Sequence, residues 1–325
     1  MTRRSCQASL LTLLSEADGL ISGEELCNRL GVSRTAVWKQ IRTLREQGYR
    51  IESVPSRGYR LVAAPDRLTV EGIERQLDVV VIGRRLEVFA QLDSTNNRAY
   101  SAAEAGAPEG TVILADQQTS GRGRLGRRWE SPAASNFYGS VILRPDVPPS
   151  QAPQLTFLSA VAVVEAIEAL TPLKPSIKWP NDVLVGRYKV AGLLNEMSAE
   201  TDRVSFVILG IGVNLNMRSD QFPEDLRSPA SSLALLGGSP IDREQFAARV
   251  LSALDRQYQR FLREGFDPIR QEWSRLCTAA GKTVRVLSGD RLIEGGFAGV
   301  DHDGALLVAT ISGIERIISG DVTVC

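Results

Sequence analysis

Four arginines, Arg122, Arg124, Arg127 and Arg128, share one short segment with Gly121, Gly123 and Gly126, and the segment ends at Trp129. Guanidinium forks bind carboxylate and phosphate oxygens two at a time. Four like charges repel, and three glycines make the backbone costly to order. Alone, such a loop is expected to be mobile; a ligand with a carboxylate and a phosphate would supply the countercharge that orders it. A second segment, Lys178-Trp179-Pro180-Asn181-Asp182, is followed by Lys189 and Gly192. It offers an ammonium, an indole, an amide and a carboxylate at the edge of a predicted sheet. The two segments together suggest a site that closes over a phosphorylated, acid-activated intermediate. Gly-x-Gly-x-x-Gly spacing also occurs in dinucleotide-binding folds, but the arginines on and beside it argue against that reading. A solvated arginine-rich linker is the plain alternative.

The elements that must position these residues follow from periodicity. Strands are predicted at 85–92, 110–117 and 136–144, and at 177–185, 188–197 and 204–214. Ser94 and Thr95 stand where they would cap a helix running to about Ala105. An apolar helix is expected at 154–170, a long amphipathic one at 243–265 and another at 267–280. Pro180 ends a strand and exposes Asn181 and Asp182; Gly186 then turns the chain into the strand carrying Lys189. After Gly281, short alternating strands at 283–287, 292–300, 305–309 and 315–319 read as a small β-barrel. The order is that of an α+β protein.

The first 64 residues differ in character. They hold ten basic and six acidic residues, about +4, against about −4 for the remainder of a chain whose formal net charge is zero. Helical patterns run from Cys6 to Glu16, from a Ser22 cap with Glu25 placed for a capping box, and from a Ser33 cap through Gln47. Gly31-Val32-Ser33 makes the tight turn of a helix-turn-helix. Arg34, Thr35, Trp38, Lys39 and Arg42 lie on the outward face of the third helix, where they can reach base edges and phosphates. Segments 49–54 and 58–61 flank Pro55-Ser56-Arg57 as a hairpin, the wing of a winged helix, with Arg57 at its tip. A helical interaction domain with a solvated basic face is the alternative. Ala63-Ala64-Pro65-Asp66 reads as a linker, giving domains at 1–64, 65–280 and 281–325.

Other chemistries are poorly supplied. One histidine, His302, sits in an Asp301-His302-Asp303-Gly304 turn, and Cys6, Cys27, Cys277 and Cys325 lack metal-ligand spacing. Histidine-based zinc sites and Ser-His-Asp triads are therefore disfavoured. No signal peptide or membrane span is expected, and a reduced cytoplasm fits the scattered cysteines.

Taken in order, Asp93-Ser94-Thr95-Asn96, Gly121-Arg122-Gly123-Arg124-x-Gly126-Arg127, Lys178-Trp179-Pro180-Asn181-Asp182, Lys189-x-x-Gly192 and Gly210-Ile211-Gly212-Val213-Asn214 make the chain resemble the bifunctional biotin–protein ligases that also repress the biotin operon. The resemblance covers nearly the whole chain. It implies a class II synthetase-like mixed-sheet catalytic domain between the winged helix-turn-helix and an SH3-like C-terminal barrel. It implies activation of biotin by ATP to biotinyl-5′-AMP, with Mg²⁺ carried on the ATP phosphates and no protein ligand assigned to it. Biotin is then both substrate and precursor of the corepressor. By resemblance, Ser94, Thr95, Gln118, Gly121, Arg122, Lys189 and Gly192 bind biotin. Arg124, Trp129, Lys178, Asn181 and Asn214 bind the nucleotide, Trp129 covering adenine. Lys189, Arg122, Arg124, Asp182 and Asn181 carry the catalysis. The implied partners are a biotin carboxyl carrier protein, operator DNA and a second copy of the chain, brought in by ligand. A lipoate-type ligase, or a biotin-sensing DNA-binding protein without transferase activity, is the alternative.

Overall fold

The computed structural model describes residues 3–17, 19–46, 49–55, 57–63 and 67–325. Gln47, the wing residue Ser56 and the expected linker residues Ala64, Pro65 and Asp66 lie outside the described residues. The chain divides into two compact units, Met1–Asp66 and Arg67–Cys325.

The first unit is three helices and a hairpin: α1 (Arg3–Glu16), α2 (Gly23–Leu30), α3 (Arg34–Glu46), β1 (Arg50–Val54) and β2 (Gly58–Ala63). Leu10, Leu14, Leu26, Val37, Ile41 and Leu44 form its core with Ile21 and Ile51, the residues whose helical spacing places them on one face. Ser22 Oγ accepts from Glu25 N at 3.1 Å, so half of the expected capping box is built. The Glu25 carboxylate instead pairs with Arg29 at 2.6 Å. Gly31 takes a left-handed φ of 64° at the end of α2, a conformation glycine adopts without a Cβ penalty. Ile21 bridges to Tyr59 beside the wing, and a Cβ on Gly58 would stand 2.0 Å from Ile21 O.

The second unit is built on a seven-stranded mixed sheet. Its elements are α4 (Val70–Glu74), β3 (Arg85–Phe89), α5 (Thr95–Glu104), β4 (Thr111–Ala115), β5 (Phe137–Leu143), α6 (Gln154–Leu170), β6 (Pro175–Lys178), β7 (Asp182–Val185), β8 (Tyr188–Ala199), β9 (Val204–Val213), α7 (Leu233–Gly237), α8 (Arg243–Glu264) and α9 (Asp267–Leu276). The strand order is β3-β4-β5-β9-β8-β7-β6; β3 and β4 are parallel and the other pairs antiparallel. One face packs against α5 through Ala99, Ala102, Ala103, Ile113, Ile142, Phe206 and Ile208. The other packs against α6 and α8. By length and composition α6 is apolar enough to cross a membrane, but here it is the central core helix, buried from Gln154 to Ile167 on nearly every side.

The strand expected over 177–185 is two strands. The turn Trp179-Pro180-Asn181, with a cis Trp179–Pro180 bond, folds β6 onto β7 so that Lys178 opposes Asp182. The C-terminal segment gives β10 (Thr283–Ser288), β11 (Arg291–Val300), β12 (Leu306–Thr310), β13 (Gly313–Ile317) and β14 (Asp321–Val324) in the order β13-β12-β11-β10-β14. The last strand was not expected from the sequence: four residues are too short for an alternation signal. This sheet packs into the same compact unit as the larger one. Gln154 Nε2 donates to His302 O at 2.7 Å across the join.

Candidate active site and nucleic-acid interface

A cavity of about 650 Å³ opens beside β8 and β9, within the range of small-molecule sites. Ser94, Thr95, Gln118, Arg122, Arg124, Trp129, Lys178, Asn181, Asp182, Lys189, Gly192 and Asn214 all line it. Of the pocket residues expected from the sequence, Gly121 alone is absent from the wall. It is buried, and a Cβ there would stand 2.3 Å from Trp129 O. Its task is the close approach of two backbones.

The arginine loop is a folded hairpin. Trp129 N donates to Gly121 O at 2.9 Å and Gly123 N to Arg127 O at 2.7 Å, with one 3-10 turn at Arg124–Gly126. In this conformation the countercharge for the loop comes from protein groups. Arg122 pairs with Glu196 at 2.8 Å and Arg128 with Glu130 at 3.0 Å. Arg127 spans both carboxylate oxygens of Asp321 in β14. Arg124 donates to Asn181 Oδ1 and to Ser319 Oγ, each at 3.3 Å. Burial pulls the Arg124 guanidinium below its ordinary value, opposed by Asp321 and Asp182. The hydrogen bond from Arg127 holds the Asp321 carboxyl below the usual carboxylate range. The contact is therefore complete above the ordinary aspartate value of 3.8 and is lost as pH falls through the lowered folded value. Asp321→Asn should loosen the loop's hold on the C-terminal sheet at neutral pH, leaving the Arg124–Ser319 contact; faster proteolytic cleavage between Arg122 and Arg128 than in wild type is the expected readout.

Lys189 Nζ stands 2.6 Å from Asp182 Oδ1, although the alignment leaves that oxygen without a hydrogen bond. The same ammonium lies 5.4 Å from the centre of the Trp129 ring. Trp129 rests on a glycine floor. A Cβ on Gly212 would come within 2.7 Å of its Cε2 and Nε1, and one on Gly192 within 3.0 Å of its Cζ3. Its Nε1 is buried against that floor without a hydrogen-bond partner. Gly212→Ala should dislodge the indole, and a change in the tryptophan emission of the free protein is the expected readout.

Gln118, rather than Ser94, caps α5: its Oε1 accepts from Thr95 N at 2.8 Å. Ser94 occupies the cap position but makes no side-chain cap bond. Its buried hydroxyl lines the cavity instead. Trp179 is not an open-edge indole; it is buried, and its Nε1 donates to Gly304 O at 3.2 Å. Asn181 is held through its Nδ2, which donates to Leu193 O at 2.7 Å. Asn214 Nδ2 donates to Ser231 O at 3.2 Å.

Sequence reasoning missed the far wall. Phe222, Leu226 and Arg227 come from the segment between β9 and α7. Lys189 N donates to Pro229 O at 2.8 Å, which ties that segment to β8. Nothing in its composition announces this; only the register of Ala230 beside Lys189 does. Asp321 and Glu196 were missed for the same reason: each meets its arginine across a long stretch of chain.

In the first unit, Ser33 Oγ accepts from Ala36 N at 3.3 Å and starts α3. Ser33, Arg34, Thr35, Trp38, Lys39, Arg42 and Arg57 are all exposed. Trp38 is 51% exposed, and the Arg42 guanidinium lies 5.2 Å from its ring centre. An exposed indole beside a cation on a helix-turn-helix is the composition of a groove-reading surface.

A winged helix-turn-helix unit, followed by a mixed sheet that carries a cationic, glycine-floored pocket, defines a ligase-type protein with a nucleic-acid-binding fold. Residues 7–60 match the HTH domain family, 88–214 the Biotin/lipoate A/B protein ligase family and 280–324 the Biotin protein ligase C terminal domain. The Bifunctional ligase/repressor BirA of Bacillus spizizenii is 41% identical over 98% of this chain and 99% of its own length. That of Escherichia coli K12 is 32% identical over 97% and 95%. The biotin protein ligase from Aquifex aeolicus in complex with biotin and ATP has a TM-score of 0.64 at 32% identity, over 74% of this chain and 99% of that one. The chain belongs to the bifunctional ligase/repressor family.

Proposed function

We propose that this protein activates biotin with ATP to biotinyl-5′-AMP, transfers the biotinyl group to a lysine of a biotin carboxyl carrier protein, and uses the adenylate as the signal for repression. The observation that carries the reading is Lys189. Its ammonium sits between Asp182 and Trp129, in one cavity with Arg122 and Arg124. In the first step the biotin carboxylate attacks the α-phosphorus of ATP and pyrophosphate leaves. Charge builds on the phosphoryl oxygens, and fixed cations lower that barrier most. Lys189 fills this role, with Arg122 and Arg124 beside it. Ser94, Thr95 and Gln118 offer the ureido ring its hydrogen bonds, with the Gly121 turn and Gly192 supplying close backbone. Trp129 offers its open face to adenine, and Lys178, Asn181 and Asn214 complete the nucleotide site.

In the second step a neutral lysine amine attacks the mixed anhydride, AMP leaves, and an amide forms. Asp182 is placed to orient the amine and to take up its proton. Mg²⁺ fits as an ion carried in on the phosphates. Among the described residues, the one cluster of three potential metal-ligating side chains is Asp301, His302 and Asp303, none of which lines the cavity. The first unit binds operator DNA through Arg34, Thr35, Trp38, Lys39, Arg42 and Arg57. Adenylate binding favours a homodimer that presents two such heads to two half-sites. A reducing cytoplasm suits Cys27, Cys277 and Cys325, all free thiols.

The test is incubation with ATP, Mg²⁺ and biotin, followed by mass spectrometry of the retained ligand. Biotinyl-adenylate is expected; its absence, together with absence of pyrophosphate, overturns the ligase assignment. Preferential consumption of lipoate under competition would move the protein to the sister class. Equal sedimentation of the free and adenylate-bound protein would remove the ligand-driven dimer.

A further inference from the structure

Resting on the ligase reading and on the role it gives Arg122, we propose that Glu196 is a positioning residue. It fixes the Arg122 guanidinium over the cavity and ties it to the buried polar floor that meets the acid substrate.

Glu196 lies on β8 with its side chain about one quarter exposed, and its two carboxylate oxygens serve different partners. Oε1 accepts from Arg122 NH2 at 2.8 Å. Oε2 accepts from Asn96 Nδ2 at 2.7 Å. Asn96 is 4% exposed and its amide cannot turn round freely. Its Oδ1 accepts from the buried Ser140 Oγ at 2.6 Å, and Ser140 Oγ also lies 2.8 Å from Thr95 Oγ1. Thr95 in turn is bonded to Gln118 Oε1. A continuous polar chain thus runs from Gln118 and Thr95 through Ser140 and Asn96 to Glu196 and Arg122. Gly210 makes it possible: a Cβ there would stand 2.2 Å from Asn96 Oδ1.

The other arm of Arg122 is fixed as well. NH1 donates to Asn97 Oδ1 at 2.7 Å, and Asn97 Nδ2 donates to Asp93 Oδ2 at 2.7 Å. A guanidinium bonded at both terminal nitrogens has already lost the rotamer freedom that ligand binding would otherwise remove. An ordinary exposed ion pair would contribute little. What separates this one is the second oxygen of Glu196, anchored to a buried amide whose own orientation is set by a buried hydroxyl. Glu196→Gln keeps the shape but must turn an NH₂ toward either Arg122 or Asn96, both donors, so one of the two contacts is lost.

The test is biotin-dependent ATP–pyrophosphate exchange by the full chain. Wild type, Glu196→Gln, Arg122→Ala, the double variant and Asn97→Ala are compared. Glu196→Gln and Asn97→Ala are each expected to raise the KM for biotin about tenfold with a much smaller change in kcat. In the Arg122→Ala background, Glu196→Gln should add nothing further, because its effect passes through that arginine. An unchanged KM in Glu196→Gln, or effects that add in the double variant, would overturn the proposal while leaving the ligase assignment standing. A wild-type protein without exchange activity would remove both. Asn97 holds the other terminal nitrogen of Arg122 from α5, so its variant tests the positioning of the same guanidinium without a change in β8, and an unchanged KM there would also count against the proposal.

Discussion

Lys189→Ala lowers biotin-dependent ATP–pyrophosphate exchange by about 10²–10³-fold, the loss expected when one fixed group that meets developing transition-state charge is removed. The side chain is three-quarters buried, pairs with Asp182 and lies along the Trp129 ring. Two effects combine. The cation proposed to face the phosphoryl oxygens disappears, and Asp182 keeps a buried oxygen with no counterion, adding negative charge to the cavity wall. Lys189→Met separates charge from packing, because it keeps an apolar stem against the indole; it should lose as much as alanine. Exchange rates at saturating biotin and ATP are the measurement. Rates within about threefold of wild type, far short of the loss from removing such a group, would transfer the charge-stabilising role to the arginines of the loop.

Asp116→Ala destabilises the second unit by about 3–5 kcal/mol, the usual consequence of removing one partner from a buried ion pair. Asp116 Oδ1 accepts from Arg243 NH2 at 2.8 Å and from Leu68 N at 3.2 Å. The Arg243 side chain is 1% exposed, so no solvent can replace the carboxylate. Arg243 Nε also donates to Asn136 O at 3.0 Å, while Asn136 Oδ1 accepts from Leu215 N at 2.9 Å. The pair therefore also holds the exit of β9, where Asn214 lines the cavity. Urea unfolding of the full chain, followed by tryptophan emission, should show the transition of Trp129, Trp179 and Trp273 shifted to lower urea. Asp116→Asn, which keeps an acceptor, should shift it less. A transition unmoved in Asp116→Ala would mean that the remaining partners of Arg243 are enough to hold its charge.

Much of the site was legible in the sequence because its members cluster locally. The arginine loop, the Lys178–Asp182 turn and the Ser94-Thr95 step each occupy a few consecutive positions, so residue type and spacing alone announce them. The winged helix was legible for a related reason: Ser22, Gly31 and Ser33 act on their own helices through bonds spanning three or four residues. Partners that meet across the chain were not legible. Arg127 and Asp321 are 194 positions apart, and no local pattern connects them. The partner of the Trp179 indole was not legible either, because Gly304 O lies 125 positions further along the chain. Ser94 carried the right residue type for a cap, yet Gln118 took that bond from another strand end.

The sequence by itself determined the kinds of chemistry this protein can do: cations for oxyanions, glycines for close approach, caps and alternation for the elements that carry them. These are short-range properties, set by sterics and by bonds between near neighbours. Tertiary structure alone decided which group each cation meets. Glu196 and Asp321 engage Arg122 and Arg127, Asn181 and Ser319 hold Arg124, and Lys189 is held between a carboxylate and an indole. That choice depends on charges and packing brought together by a seven-stranded sheet and a second, smaller one, at distances along the chain where spacing carries no information.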